Sequence, residues 1–254
     1  MLKEKVSSVD KILPILPLFA LAVGYLVGNE DINRMLFPDL NDLTQATGQL
    51  LLSEEYWGNL SRTIGKALLA IVFGAYIGVP IGALMGEFRI VRRILESSLD
   101  FLRGIPITAL CSYFYMLFGF TGASVIAPIY FSILGQVHAT GSAISLVDQE
   151  IQDAAALDGA SKLQMLTEIK LPMALPVMMT HLKNIVQYTL IAVVAMEMFG
   201  GNSRGLGGAA VAAQMSYRMG EAFVYLISLG LSSYLMGSVV NRLKEKTERA
   251  LLGK

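Results

Sequence analysis

Six apolar segments, each about as long as a membrane-crossing helix, constrain this chain of 254 residues more than any other feature. A helix that crosses a bilayer needs about 20 mostly apolar residues. With 54% hydrophobic residues, 16% charged residues and a mean hydropathy of +0.56, the chain is also more apolar than a typical soluble protein. We therefore predict an all-α, polytopic membrane protein with about six transmembrane helices. The candidate segments are residues 12–28, 62–86, 99–118, 122–146, 174–199 and 221–240.

The first of these segments has two possible fates. It is short, contains Pro14 and Pro17, and follows a basic stretch, as the apolar part of a secretory signal peptide does. No small-residue cleavage site follows at a suitable distance, and the acidic Asp31 comes soon after the segment. We predict that it is retained as the first span, and its removal as a signal peptide is the alternative.

Lysine and arginine are distributed unevenly among the segments that connect these spans. Fourteen lie at the N-terminus, in the link after the second span, in residues 148–172 and in the C-terminal tail, whereas the alternate loops contain three, Arg34, Arg204 and Arg218. Cytoplasmic loops carry the excess of basic residues in membrane proteins. Both termini and residues 148–172 are therefore predicted to be cytoplasmic. The 20 basic and 20 acidic residues cancel, which argues against a nucleic-acid partner.

Residues 148–172 form a charged, amphipathic interval between two apolar segments. The pattern predicts a first helix through Ala154–Leu157, a turn at Gly159, and a second helix that begins at Ser161. Ser161 and Gln164 have the spacing of a capping box, and Pro172 is expected to end the second helix at Leu171. An ordinary amphipathic connector would satisfy the periodicity equally well.

The spacing within this interval is more specific than its periodicity. Asp153-Ala154-Ala155, then Gly159, then Ile169-Lys170-Leu171-Pro172 resembles the EAA loop of ABC importer permeases, with Asp153 where the family usually has Glu. In that family the loop docks on the ATPase subunit. The resemblance implies that the docking surface and its exit comprise Asp153, Ala154, Ala155, Gly159, Leu163, Leu171 and Pro172.

The resemblance extends from about Leu60 to the tail and is nearest to permeases for aliphatic sulfonates, taurine, nitrate and bicarbonate. Residues 103–106 (RGIP) are similar to the RPIP turn of that group, and residues 195–207 are similar to its AEM…GLG region. It implies the type I ABC importer permease fold, with an N-terminal span and external loop (1–59) and a permease core (60–254).

The same resemblance implies the partners and the reaction. A homodimer of permeases in the bacterial cytoplasmic (inner) membrane would form the solute pathway, served by cytoplasmic ATPase subunits that bind ATP and Mg and by an extracytoplasmic solute-binding protein. The chain has no P-loop, so it is not predicted to be an enzyme or to hold a cofactor itself. The expected solute is a small oxyanion. A thiamine precursor or another small organic solute, or a stand-alone ion-coupled transporter, are the alternatives.

Few polar residues lie within or at the ends of the predicted spans, and each is a candidate for the pathway because such residues are costly in a bilayer. Internal hydrogen bonds are the competing explanation. A stripe of Gly74, Gly78 and Gly82, four residues apart, is predicted to allow close packing of helices within the chain. The candidate pathway residues are Arg103, Gln136, His138, Asn184, Gln187 and Glu197.

Overall fold

Helices form almost all of the protein that the computed structural model describes, which is residues 37–200 and 204–252. The predicted first span, 12–28, lies outside the described residues. A three-residue helix, Lys162–Gln164, leads into one π-helical stretch, Met165–Lys170, which continues directly into the helix that begins at Leu171. The α-helices are α1 (Leu40–Leu51), α2 (Glu54–Glu87), α3 (Arg89–Gly104), α4 (Ile107–Ser145), α5 (Gln149–Leu157), α6 (Lys162–Gln164), α7 (Leu171–Phe199), α8 (Leu206–Met215) and α9 (Met219–Leu252).

Four helical stretches of the described chain are long and apolar enough to cross a membrane. They are Glu54–Glu87, Ile107–Ser145, Lys162–Phe199 and Met219–Ala250. They confirm the predicted second, fifth and sixth spans, although each helix extends beyond the apolar segment that predicted it. The second stretch, α4, contains parts of both the third and the fourth predicted spans.

The chain reverses direction inside α4. Gly119 has φ 66° and ψ 176°, which interrupts the helix and which glycine adopts without steric penalty. The rings of Phe114 and Tyr130 lie 5.8 Å apart, although a continuous helix would separate these positions by about 24 Å along its axis. Residues 107–118 and 120–145 are therefore two antiparallel arms, called here the first and second arms of α4.

The third predicted span, 99–118, is not one continuous helix. Residues 99–104 end α3, and Ile105 is extended because Pro106 follows it, so the helix breaks before the first arm begins. Side chains of α3 pack against Leu134 and Val137 of the second arm. The turn implied by the resemblance of residues 103–106 to RPIP is present. It lies beside the middle of the second arm.

A glycine stripe brings α2 close to the second arm of α4. A Cβ atom added at Gly78 would lie 2.6 Å from the Cβ of Gln136, and one added at Gly82 would lie 2.6 Å from the carbonyl oxygen of Val137. Real Cβ atoms do not approach other atoms this closely, so both positions require glycine. The prediction that the stripe serves packing within the chain is confirmed.

Helix α1 and the start of α2 pack against α9. Ala46 and Leu50 of α1 lie in one apolar cluster with Ala222 and Tyr225 of α9. Tyr56 hydrogen-bonds Ser228 of α9 at 2.7 Å between their hydroxyl oxygens. The predicted boundary between residues 59 and 60 falls inside α2, and that division stays a prediction.

Candidate coupling loop and transport pathway

Residues 148–172, called here the coupling loop, have the predicted helix-turn-helix form. Gly159 has φ +85°, so α5 ends in a left-handed residue. Both bonds of the capping box are present: the Gln164 amide donates to Ser161 Oγ at 3.3 Å, and the Ser161 amide donates to Gln164 Oε1 at 3.0 Å. Local sequence therefore fixes the turn between the two short helices.

One expectation for this loop was wrong. Pro172 does not end the second helix at Leu171, because Leu171 is helical (φ −65°, ψ −48°) and begins α7. The π-helical stretch Met165–Lys170 comes directly before it. Proline lacks the N–H that a regular helix needs. The wider hydrogen-bond pattern of the π-helical stretch explains why Pro172 can follow it without a break in the helix.

The tip of the coupling loop is solvent-exposed and apolar. Leu157 is 90% exposed and Leu163 is 69% exposed, on either side of the Gly159 turn. Asp153 and Ala154 are also exposed, and Asp153 accepts a hydrogen bond from the side chain of Gln149. The predicted docking positions on α5 and α6 thus lie on one small protrusion.

The base of the coupling loop is buried against the ends of two long helices. Leu171 packs on an apolar cluster that includes Ala83 of α2 and Ile144 of α4, while Pro172 is half-buried. Lys170 is only 7% exposed, and its Nζ lies 2.5 Å from Glu87 Oε2 at the end of α2. An exposed tip on a packed, ion-paired base can transmit a displacement to α2, α4 and α7.

Breaking the Lys170–Glu87 ion pair is expected to loosen this base. Lys170→Glu or Glu87→Lys alone should each lower stability by about 3 kcal/mol, because a charge remains buried without its partner. The double swap should recover part of the loss, measured by thermal unfolding of the detergent-solubilised protein. Swapping the more exposed Lys244–Glu248 pair is the control and should change little. Equal stability of single and double variants would contradict the assignment.

A cavity of about 620 Å³, called here the central cavity, opens beside the break between α3 and α4. It brings together three predicted pathway residues, Arg103, His138 and Asn184. Tyr188, which no sequence pattern marked, also lines it. The other lining residues are Gly104, Ile105, Pro106, Ile107, Phe131, Gly135, Ala139, His181, Ile185, Ile191 and Ala192.

The broken helix gives the central cavity its polar character. At Ile105 and Pro106 the backbone leaves helical geometry, and a non-helical backbone at membrane depth is tolerated where it lines a cavity. Arg103 carries the permanent charge of the lining, and its guanidinium is 4.0 Å from Asp100 outside it. The remaining wall is largely apolar. Such a cavity can hold a small solute that has one anionic group and an apolar part.

The other three predicted pathway residues lie elsewhere. Gln136 is buried against the glycine stripe of α2, and Gln187 is half-buried on α7 outside the lining of the central cavity. Glu197 is 4% exposed near the end of α7. Whether any of the three contacts solute stays a prediction.

Glu197 holds the start of α8 in place. Its carboxylate accepts hydrogen bonds from Thr63 Oγ1 at 2.9 Å, Lys66 Nζ at 3.1 Å and the amide of Gly207 at 3.0 Å. The adjacent amide of Leu206 donates to Thr63 Oγ1 at 2.9 Å. The N-terminal amides of α8, which no residue of the helix itself can satisfy, thus find partners on α2 and α7. A side chain at Gly205 would overlap this carboxylate.

Removing this carboxylate should release α8. Glu197→Ala is expected to cost about 3 kcal/mol, because Lys66 loses its buried partner. Hydrogen exchange at the amides of Leu206 and Gly207 should accelerate, as followed by mass spectrometry of the purified protein. Glu221→Ala removes an acid from the more exposed Arg218–Glu221 pair and should leave those amides unchanged. Unchanged exchange in the Glu197 variant would argue against this role.

Metal ligation has no support in the described part of the chain. Among residues 37–200 and 204–252, no group of three or more His, Cys, Asp and Glu side chains is placed to hold an ion. The expectation that the chain carries no cofactor stays a prediction.

Comparison with known proteins decides the family. The family of binding-protein-dependent transport system inner membrane components matches residues 78–252, which contain the coupling loop and the lining of the central cavity. The chain belongs to this family. It is therefore an ABC importer permease, a multi-pass membrane protein, as the EAA-like spacing predicted.

Two relatives cover most of this permease. The protein of Bacillus subtilis named "Putative aliphatic sulfonates transport permease protein SsuC" is 26% identical over 234 residues, which is 91% of this chain and 84% of SsuC. The glycine betaine/carnitine transport permease protein GbuB of Listeria monocytogenes is 26% identical over 206 residues, 80% of this chain and 72% of GbuB. The relatives differ in their solutes.

A solved structure shows the fold of the permease. A chain of the MetNI methionine ABC transporter, in an inward-facing conformation, superposes with a TM-score of 0.67 at 18% identity. The match covers 77% of this chain and 99% of that chain. The predicted type I ABC importer permease fold is confirmed.

Proposed function

We propose that this permease moves a small organic anion of the sulfonate class across the cytoplasmic membrane, and that ATP hydrolysis on a separate subunit drives it through the coupling loop. The observation that carries the proposal is the structure of the coupling loop. An exposed apolar tip at Leu157 and Leu163 stands on a base tied by Lys170 and Glu87 to α2. The same base packs on α4 and continues into α7, so a partner that pushes on the tip displaces two helices that border the central cavity.

The chemistry of the central cavity supports an anionic solute. Arg103 lines it, and no Asp or Glu is among its described lining residues. A guanidinium presents paired N–H donors that match the oxygens of a sulfonate. The volume of the central cavity, about 620 Å³, lies within the range of ordinary small-molecule sites and leaves room for an organic group. The named function of SsuC agrees with this class.

Two further elements of the proposal concern assembly and orientation. A second copy of this chain completes the pathway. Apolar side chains such as Phe73 and Tyr76 of α2 are exposed on a single copy, and either the second copy or lipid covers them. Both termini and the coupling loop face the cytoplasm, as the excess of lysine and arginine favours. An extracytoplasmic binding protein delivers the solute, in keeping with the family description.

Co-purification and uptake test the proposal together. The tagged permease, expressed with its native partners, is expected to retain an ATPase subunit through affinity purification and gel filtration. Proteoliposomes with the binding protein should accumulate ethanesulfonate or taurine in the presence of ATP, and should accumulate nitrate, bicarbonate, glycine betaine or a pyrimidine thiamine precursor more slowly. Preference for one of the latter would reject the sulfonate class. Absence of an ATPase subunit would favour a stand-alone transporter.

A further inference from the structure

A second pocket, of about 220 Å³, lies at the end of the protein opposite the coupling loop and is called here the outer pocket. It is enclosed by the start of α2, the reversal of α4 and the end of α7. From this end α2 and the second arm of α4 run towards the end that carries the coupling loop, and α7 runs back from the coupling loop to the outer pocket. Its lining is Arg62, Lys66, Tyr115, Phe120, Thr121, Ser124, Met196, Glu197, Gly200 and Arg204.

The outer pocket has an excess of positive charge. Glu197 is the acid among its described lining residues, and its oxygens are already engaged by Lys66, Thr63 and the Gly207 amide. Arg62 has a 3.3 Å hydrogen bond to the side-chain oxygen of Asn59, which is neutral. Within residues 37–200 and 204–252, neither Arg62 nor Arg204 has a carboxylate within 4 Å. Two guanidinium charges are therefore available to a ligand.

The outer pocket and the central cavity follow one another along the same helices. On α7, Ala192 lines the central cavity and Met196, one helical turn later, lines the outer pocket. On the first arm of α4, Ile107 lines the central cavity, and Tyr115, about 12 Å further along, lines the outer pocket. A solute that moves along these two helices from the outer end meets the two sites in sequence.

We propose that the outer pocket is an anion-binding station, in which Arg62 and Arg204 receive the sulfonate group of the solute before it reaches the central cavity. This inference rests on the proposed function. Paired guanidinium donors bind oxyanions more strongly than neutral donors do, and a cleft of one charge sign raises the local concentration of the opposite ion. The station also works against cationic solutes, so it contributes to the choice of substrate.

Uptake by charge variants tests the station. Arg62→Gln with Arg204→Gln should lower uptake of 1 μM radiolabelled ethanesulfonate into proteoliposomes about tenfold, and saturating solute should restore most of the rate. Arg218→Gln, at an exposed arginine that pairs with Glu221 outside both cavities, is the matched control and should transport normally. An unchanged rate at low solute in the double variant would overturn the inference.

Chemical protection provides a readout that does not depend on transport. Phenylglyoxal should modify Arg62 and Arg204 of the assembled complex in phosphatidylcholine nanodiscs, and ethanesulfonate should slow that reaction while leaving Arg218 unaffected. If the arginines are protected only in nanodiscs that contain phosphatidylglycerol, whether or not ethanesulfonate is present, they bind lipid phosphate. That result would reject a solute station. Absence of protection in both lipids would also reject it.

These results separate the two proposals. If the wild-type complex transports no sulfonate at any concentration, the proposed solute class fails. If wild-type transport is normal and the double variant equals it, the proposed function stands and the outer station is rejected.

Discussion

Replacing Gly159 with valine is expected to abolish solute-stimulated ATP hydrolysis while the membrane helices remain folded. Gly159 has φ +85°, a conformation that costs a β-branched residue about 1–3 kcal/mol. A Cβ atom at this position would meet no other atom within 4 Å, so the effect acts through the backbone turn alone. The turn sets the angle between α5 and α6, and therefore the shape of the docking tip. Basal ATP hydrolysis should persist without its response to solute.

The same position offers its own control. Asparagine tolerates the left-handed conformation better than other non-glycine residues, so Gly159→Asn should retain much of the stimulation. Comparison in the reconstituted complex, with gel filtration to confirm assembly, separates backbone strain from the loss of glycine as such. Stimulation that survives both Gly159→Val and Gly159→Pro would count against a coupling role for this loop.

A single methyl group at one position of the glycine stripe should lower the stability of the protein. Gly78→Ala is expected to destabilise the protein by about 1–3 kcal/mol, even though alanine favours helix. The new Cβ would lie 2.6 Å from the Cβ of Gln136 and 3.0 Å from the carbonyl oxygen of Ile133, so α2 must move away from the second arm of α4. Thermal unfolding of the detergent-solubilised protein measures the loss.

Gly65→Ala is the matched control on the same helix. A Cβ atom at Gly65 would have no other atom within 4 Å, so alanine there should leave stability equal or slightly higher. If both substitutions shifted the unfolding temperature by the same amount, the close approach of the two helices would not be the reason for glycine at position 78.

Local sequence was sufficient for the features that depend on neighbouring residues. The capping box at Ser161 and Gln164, the turn at Gly159 and the break before Pro106 each follow from the conformational preferences of two to four adjacent residues. The spacing of Gly74, Gly78 and Gly82 predicted a packing face because these residues share one side of a helix. Apolar length located the second, fifth and sixth predicted spans, whereas the third is divided between α3 and the first arm of α4.

The sequence was less informative where distant contacts decide the conformation. Pro172 predicted that a helix would end there. Instead the helix continues from the π-helical stretch through Pro172, and Leu171 packs on α2 and α4. Nothing near residue 105 indicated that the break would lie beside the middle of the second arm. That position depends on how α3 packs against Leu134 and Val137.

The candidate pathway shows the same division. Single polar residues in predicted spans were recognised, but their grouping was not, since Arg103, His138 and Asn184 come from three different helices. Glu197 and Lys66 are 131 residues apart in the chain, so their contact could not be inferred from local pattern. Lys66 lies within an otherwise apolar span, and this was the one sequence signal that could have indicated a buried acid as its partner.

Solute-stimulated ATP hydrolysis by the complete complex in lipid nanodiscs tests the central claim most directly. With the extracytoplasmic binding protein present, ethanesulfonate or taurine should raise the hydrolysis rate of the wild-type complex several-fold and leave the rate of the Gly159→Val complex at its basal level. The account would be contradicted by a wild-type rate that no solute changes, or by equal stimulation of the two complexes.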